Sequence, residues 1–188
     1  QMPPSESTTL QSIGYAGLIL KQLRHDHGHE TVRDAHVDLT FGGQLAHGII
    51  AMTPVFPGHA KQVGRLVAAG TSLKRITVVD DDVDIRDPMH MDWAMNSRFQ
   101  PARDTILIED VNPMGGMDPT LAIRDNVFEL ASQMVCDATQ PHDAVFRGAV
   151  FRWLSDSATS RPSSPSARGS ARTGGAPSRK TAAIRNSA

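Results

Sequence analysis

The spacing of apolar positions changes period several times along the chain. Leu10, Ile13, Ala16, Gly17, Leu20 and Leu23 recur at helical intervals, which predicts a helix over residues 8–27 with one apolar face. Thr8 and Gln11 form a capping box at its start, where each side chain satisfies a free backbone N–H. Gly28 stops it, since glycine tolerates the left-handed conformation. Over residues 31–40 the period falls to two. Asp34, His36 and Asp38 alternate with Ala35, Val37 and Leu39, as in a half-buried strand. Gly42-Gly43 permits a turn into a second, more apolar strand, His47 to Val55, so a hairpin is expected. Pro57 fits the first position of the next helix, where its missing N–H costs nothing, and Gly70 ends that helix.

A β-branched run from Ile76 to Val79 predicts a strand at 75–79. It is followed by a helix starting at Asp87-Pro88 and ending near Arg98, and by a strand at Thr105–Glu109. Residues 110–126 are rich in Gly, Pro, Asn and Asp and read as a loop. Residues 127–136 fit a short helix and an extended segment equally well. The order is α-β-β-α-β-α-β, which predicts a small layered α/β domain with a mixed sheet over residues 1–145. Residues 146–188 form a low-complexity Ser/Arg/Pro/Ala tail. From about residue 155 it holds nine serines, with Ile184 as its one large apolar residue, too little to offset chain entropy.

Charge changes this picture only locally. The chain of 188 residues carries a net −1, but residues 155–188 hold six Arg or Lys and one Asp, leaving the rest at −6. Charge alone would let the tail touch nucleic acid or anionic surfaces, but the expectation is a solvated, idle tail, and no nucleic-acid partner is expected. The single cysteine, Cys136, excludes an intrachain disulfide and suits a reducing, cytoplasmic compartment. No apolar run reaches the length of a membrane span, and the first residues, QMPPSESTT, do not resemble a secretory signal.

Three groups of side chains invite chemistry. Asp80, Asp81, Asp82 and Asp84 end the third strand, where carboxylates hold Mg²⁺ or cap the next helix. VVDDD also opens receiver domains, but a large α-β-β-α block precedes it here, and the only lysine beyond Asp125 is Lys180. His25, His27 and His29 form an H-x-H-x-H run at a helix end, with His25 and His29 on a shared face. Cys136 would act as a nucleophile only beside a base. No G-x-S-x-G, H-E-x-x-H or Walker pattern is present, and GGM at 115–117 is too short for a phosphate loop.

Taken in order, several segments resemble the C-terminal domain of the UbiD family of decarboxylases, of the 3-octaprenyl-4-hydroxybenzoate carboxy-lyase type. They are LKQLRHDHG, a strand pair, VFPGHAKQVGRLV, VVDDDVDI, DWAMNSRFQPARD and SQMVCDATQP, and they span about residues 8–141. The last segment departs from the family's S-K-M-G-I-D-A-T-K-P at Gln133 and at Val135-Cys136, and the residues after Pro141 do not resemble a family ending.

The resemblance implies non-oxidative decarboxylation of aromatic or α,β-unsaturated acids with prenylated FMN, Mn²⁺ and a monovalent cation at its phosphate. It also implies that the proton-donating glutamate lies in an upstream flavin-binding half, so no catalytic residue and no metal ligand is assigned here. The chain is expected to be the C-terminal domain or subunit, inactive alone, partnered by that N-terminal half and forming a homo-oligomer. The rival is a non-catalytic assembly module. Lys61, a cation near a helix start, is the candidate cofactor contact. Ile49, Met52 and Phe56 are candidates to line a substrate pocket, against the alternative that they pack the core.

Overall fold

The computed structural model describes residues 5–39, 46–112, 118, 120–124 and 127–141. The Gly42-Gly43 turn, the GGM segment and the tail lie outside them. Helix α1, Glu6–Lys21, is capped by Ser5, whose hydroxyl accepts the Thr8 N–H at 3.2 Å. The Thr8–Gln11 capping box therefore does not form, because the helix starts before it. A π-helical turn, Gln22–Asp26, follows, and Gly28 takes φ 69° as expected of a helix stop.

Strand β1, Val32–Asp38, and strand β2, His47–Met52, form the expected antiparallel pair, with a bulge between Val32 and Asp34. The bulge puts Val32 and Ala35 on one face although they are three residues apart. Helix α2, His59–Gly70, starts two residues beyond Pro57, which lies in the preceding turn rather than at the first helical position. Strand β3, Arg75–Asp80, pairs parallel with β2, so α2 is the crossover between them. Helix α3, Pro88–Ser97, is capped by Asp87, which accepts the Met89 N–H at 2.8 Å. A short helix α4, Pro101–Asp104, leads into β4, Thr105–Val111. Two-residue strands β5, Ile123–Arg124, and β6, Val127–Phe128, pair as a small hairpin.

The open segment at 127–136 resolves as an extended one. Strand β7, Ala131–Ala138, inserts between β3 and β4, parallel to the first and antiparallel to the second. Among the described residues the main sheet runs β1-β2-β3-β7-β4, a mixed sheet with helices on both faces. One face packs Val37, Ile50, Met52, Ile76, Val78 and Val135 under α1 and α2. The other packs Ile49, Ala51, Val79 and Ala138 under α3 through Met91 and Ala94.

Helix α1 corrects the expected apolar face. Its C-terminal part reaches the core through Ile19 and Leu20, and the π-helical turn through Leu23, but Leu10 and Ile13 are 70% and 65% exposed. Together with Gly14, Gly17 and the exposed Leu18 they form a stripe at helical spacing on the outer side.

Candidate functional site

The carboxyl ends of β2, β3 and β7 point the same way, because these three strands are mutually parallel. The loops that leave them converge there, as in other open α/β sheets whose ligands sit outside the strand C-termini. A cavity of about 220 Å³ opens between the Pro54–Gly58 turn, the first turn of α2, α4 and the Thr139–Pro141 segment. Gly58 takes φ 84°, and no side chain among the described residues caps α2. The start of that helix therefore faces the cavity with no carboxylate or hydroxyl of its own in the capping position.

Lys61 lines this cavity. Its ammonium donates to the Arg103 carbonyl at 2.6 Å and lies 3.7 Å from Asp104. Asp104 is nearly buried and accepts a two-pronged bond from Arg103 at 2.8 and 2.7 Å, plus the Gln100 N–H at 2.9 Å. Burial alone would raise its carboxyl, but these bonds and the Arg103 and Lys61 charges outweigh burial and hold it below the usual carboxylate range. Two cations, Lys61 and Arg103, and two acids, Asp104 and Asp137, thus line the cavity, with both cations on Asp104 and Asp137 held by the Thr139 N–H and hydroxyl. Arg103 was missed in the sequence because its role depends on α4 folding back onto α2.

Across the opening, Phe56 is 44% exposed and stacks on His59 with centroids 4.5 Å apart at 17°. Ile49 and Met52, 3% and 0% exposed, are core residues and do not reach the cavity.

The acidic cluster has been drawn into separate tasks. Arg98 donates to Asp80 at 2.7 Å and to both oxygens of Asp82 at 2.9 and 2.6 Å, while its guanidinium lies 4.7 Å from the Trp93 ring centre. The Asp80 oxygen that takes Arg98 also accepts the Gln140 N–H at 2.7 Å, tying the cavity wall to β3. Burial pushes the Asp80 carboxyl up to about 6, against the pull of that N–H and the Arg98 charge. Asp81 accepts the Thr53 hydroxyl at 2.7 Å, and Asp84 takes the Arg86 N–H at 3.0 Å. Among the described residues no three His, Cys, Asp or Glu side chains gather around a metal position.

The histidine run also disperses. His25 is exposed and meets Asp26, and His27 follows the π-helical turn. His29 does not share a helix face with His25. It turns inward, its Nδ1 lying 3.0 Å from His59 Nε2. Cys136 is buried at the middle of β7, and burial pushes its thiol up, away from nucleophilic use. Gln133 is buried and donates to the carbonyls of Thr71 and Leu73 at 2.8 and 2.9 Å, stapling β7 to the α2–β3 connection.

Comparison with known proteins agrees with this architecture. Residues 8–138 match the family described as 3-octaprenyl-4-hydroxybenzoate carboxy-lyase C-terminal domain. Anhydromevalonate phosphate decarboxylase of Aeropyrum pernix is 37% identical over 128 residues, which make up 65% of this chain and 28% of that protein. The UbiD-class enzyme HmfF from Pelotomaculum thermopropionicum, solved with FMN, aligns at TM-score 0.65 and 24% identity over 80% of this chain and 33% of its own. Vanillic acid decarboxylase of Sedimentibacter hydroxybenzoicus aligns at TM-score 0.64 and 22% identity over 84% of this chain and 34% of its own. The chain therefore spans about a third or less of the length of these relatives, and at such identities the solved structures speak to the fold. The family match covers the chain from α1 to the end of β7, and this protein belongs to the UbiD carboxy-lyase C-terminal domain family.

Proposed function

We propose that this chain forms the C-terminal domain or subunit, over residues 1–145, of a cytoplasmic UbiD-type decarboxylase acting on aromatic or α,β-unsaturated acids with prenylated FMN. The observation that carries this reading is the cavity at the β2, β3 and β7 ends, with Lys61, Arg103 and the uncapped start of α2 on one rim and Phe56 on the other. Lys61 and Arg103 beside a helix N-terminus suit a phosphate, and an aromatic and proline-lined turn suits a flat ring or an apolar substrate. The donor set fits one edge of such a cofactor and not its metal, because of the two acids lining the cavity Asp104 is committed to Arg103, Asp137 is held by Thr139, and among the described residues no three metal-ligating side chains gather. Carboxylates for Mn²⁺ and the proton-donating glutamate would come from a flavin-binding half.

When bound, the prenylated flavin supplies the electron sink or covalent partner for the substrate. The residues of this chain do the rest of its share. Lys61 and Arg103 neutralise anionic charge, Asp104 fixes both cations, and Phe56 with Pro54 and Pro57 shields the site from water. The chain alone should not turn over substrate. Homo-oligomerisation completes the picture.

A second reading, a non-catalytic assembly module, is favoured by the exposed stripe Leu10, Ile13, Gly14, Gly17 and Leu18 on α1, an apolar face suited to a protein surface. One experiment separates the two. The chain is co-expressed with the flavin-binding half of a UbiD-type enzyme, together with a prenylated-FMN source, and CO₂ release is followed from aromatic and α,β-unsaturated acids. Turnover that needs both polypeptides supports the first reading. A flavin-loaded pair without turnover supports the module, and turnover by this chain alone overturns both.

A further inference from the structure

The β2–α2 turn that forms one wall of the cavity is held by a chain of hydrogen bonds through two imidazoles. His59 is 3% exposed, and its Nδ1 accepts the Val55 N–H at 3.3 Å. A nitrogen that accepts an N–H carries no proton, so the neutral His59 ring bears its hydrogen on Nε2. That N–H points at His29 Nδ1, 3.0 Å away, which must then be the acceptor, leaving the His29 proton on its own Nε2. His29 is itself anchored, its backbone N–H donating to the Leu23 carbonyl at 2.8 Å. The arrangement thus links the end of the first helical segment to the turn carrying Val55 and Phe56, and Phe56 lies stacked on the His59 ring.

This chain of bonds has no room for another proton. Of the four ring nitrogens, two carry hydrogens and the other two are both acceptors. Protonating His59 Nδ1 sets an N–H against the Val55 N–H. Protonating His29 Nδ1 sets an N–H against His59 Nε2–H. Either event breaks one link and leaves a cation beside a buried ring. Among the described residues, the charges that reach these rings are other histidines: His27 acts on His29, and His29 acts on His59. No carboxylate among them contributes to holding either imidazolium. Burial acts first, and the neighbouring histidine second, to favour the neutral form of each ring.

We propose that His29 and His59 form a proton-operated latch that holds the Val55 amide and the Phe56 ring, and so the shape of the cavity wall, in the arrangement seen with both imidazoles neutral. Below the titration of the pair, the Val55 bond opens and Phe56 leaves the His59 ring. The latch belongs to the wall itself and stands whether or not a flavin half completes the site.

The test uses the full chain labelled with ¹⁵N. Long-range imidazole spectra at about pH 8 should show both rings with hydrogen on Nε2 and none on Nδ1. On lowering the pH to about 5, the hydrogen-exchange protection of the Val55 amide should fall about tenfold, the scale of one lost neutral hydrogen bond, while that of Val78 in the core stays constant. The Phe56 ring signals should move with the same midpoint. In His29→Asn, an amide oxygen replaces the accepting nitrogen, so the Val55 midpoint should move upward as the repulsion from His29 is removed. A His59 ring protonated on Nδ1 at pH 8 would overturn the latch. So would a Val55 amide whose protection is constant through the imidazole titration or falls only in step with that of Val78.

Discussion

Arg98 Nη1 and Asp80 Oδ2 lie 2.7 Å apart at the end of β3, with the arginine 3% exposed and the same oxygen taking the Gln140 N–H. One guanidinium thereby joins α3 to β3 and, through that shared oxygen, to the segment after β7. The acidic run VVDDD is thus a structural junction whose cation arrives from the far end of the next helix.

Removing that cation should be costly. Arg98→Ala leaves Asp80 buried without its partner and removes the contact with Trp93, so a loss of about 3 kcal/mol is expected in urea unfolding at neutral pH. The loss should shrink below about pH 6, because Asp80 titrates near 6 and a protonated carboxyl no longer needs a cation. Arg98→Lys should recover only part of the stability, since an ammonium cannot bridge Asp80 and both Asp82 oxygens. An equal cost at pH 5 and pH 7.5 would refute this account of the junction.

His47 should set the acid limit of the fold. It is half-buried on β2, its Nε2 2.9 Å from the Thr77 hydroxyl and its Nδ1 accepting from Arg75 at 2.9 Å. Burial first, and the Arg75 charge second, depress the ring to about 4, against the weaker pull of Asp38. A histidine depressed in the folded state is neutral there while the unfolded chain already binds a proton. Its contribution is therefore complete above about pH 6.5 and is lost as the pH falls toward 4. His47→Gln should flatten the fall in unfolding free energy over that window, and the wild-type imidazole signal should stay neutral down to about pH 5.

Gln133 is buried, and its amide donates to two backbone carbonyls. Gln133→Ala should cost about 1–3 kcal/mol, because the Thr71 and Leu73 carbonyls lose their buried donor. Thermal unfolding of the variant measures it, and a change no larger than that of an exposed control would show that water replaces the amide.

Gly64 lets α2 lie close on the sheet. A Cβ there would collide with the Val135 side chain and stand 3.5 Å from Val78 Cγ2. Gly64→Ala should therefore destabilise by about 1–3 kcal/mol despite alanine's better helix propensity, with Val135→Ala in the same chain recovering part of the loss. Stabilisation by the single change would mean that α2 moves outward freely.

The sequence by itself determined the local elements. Alternation through β1, the β-branched run of β3, Asp87-Pro88 before α3 and Gly28 after the helical turn each act within a few residues, where backbone sterics and side-chain period decide the outcome. The ordered segments were enough to reveal the family. Residues 127–136 were undecidable because β7 is buried on both faces and carries no clear period, and its place between β3 and β4 depends on pairing with strands far away in the chain. Leu10 and Ile13 matched a core face by spacing yet lie outside, since spacing gives a stripe and not what covers it. Only the tertiary structure brought Arg98 to the aspartates, His29 to His59 and Lys61 to Arg103 and Asp104. These contacts join separate elements across turns and crossovers, and the energy that selects them is the cost of burying a charge or an N–H unpaired, which no local pattern records.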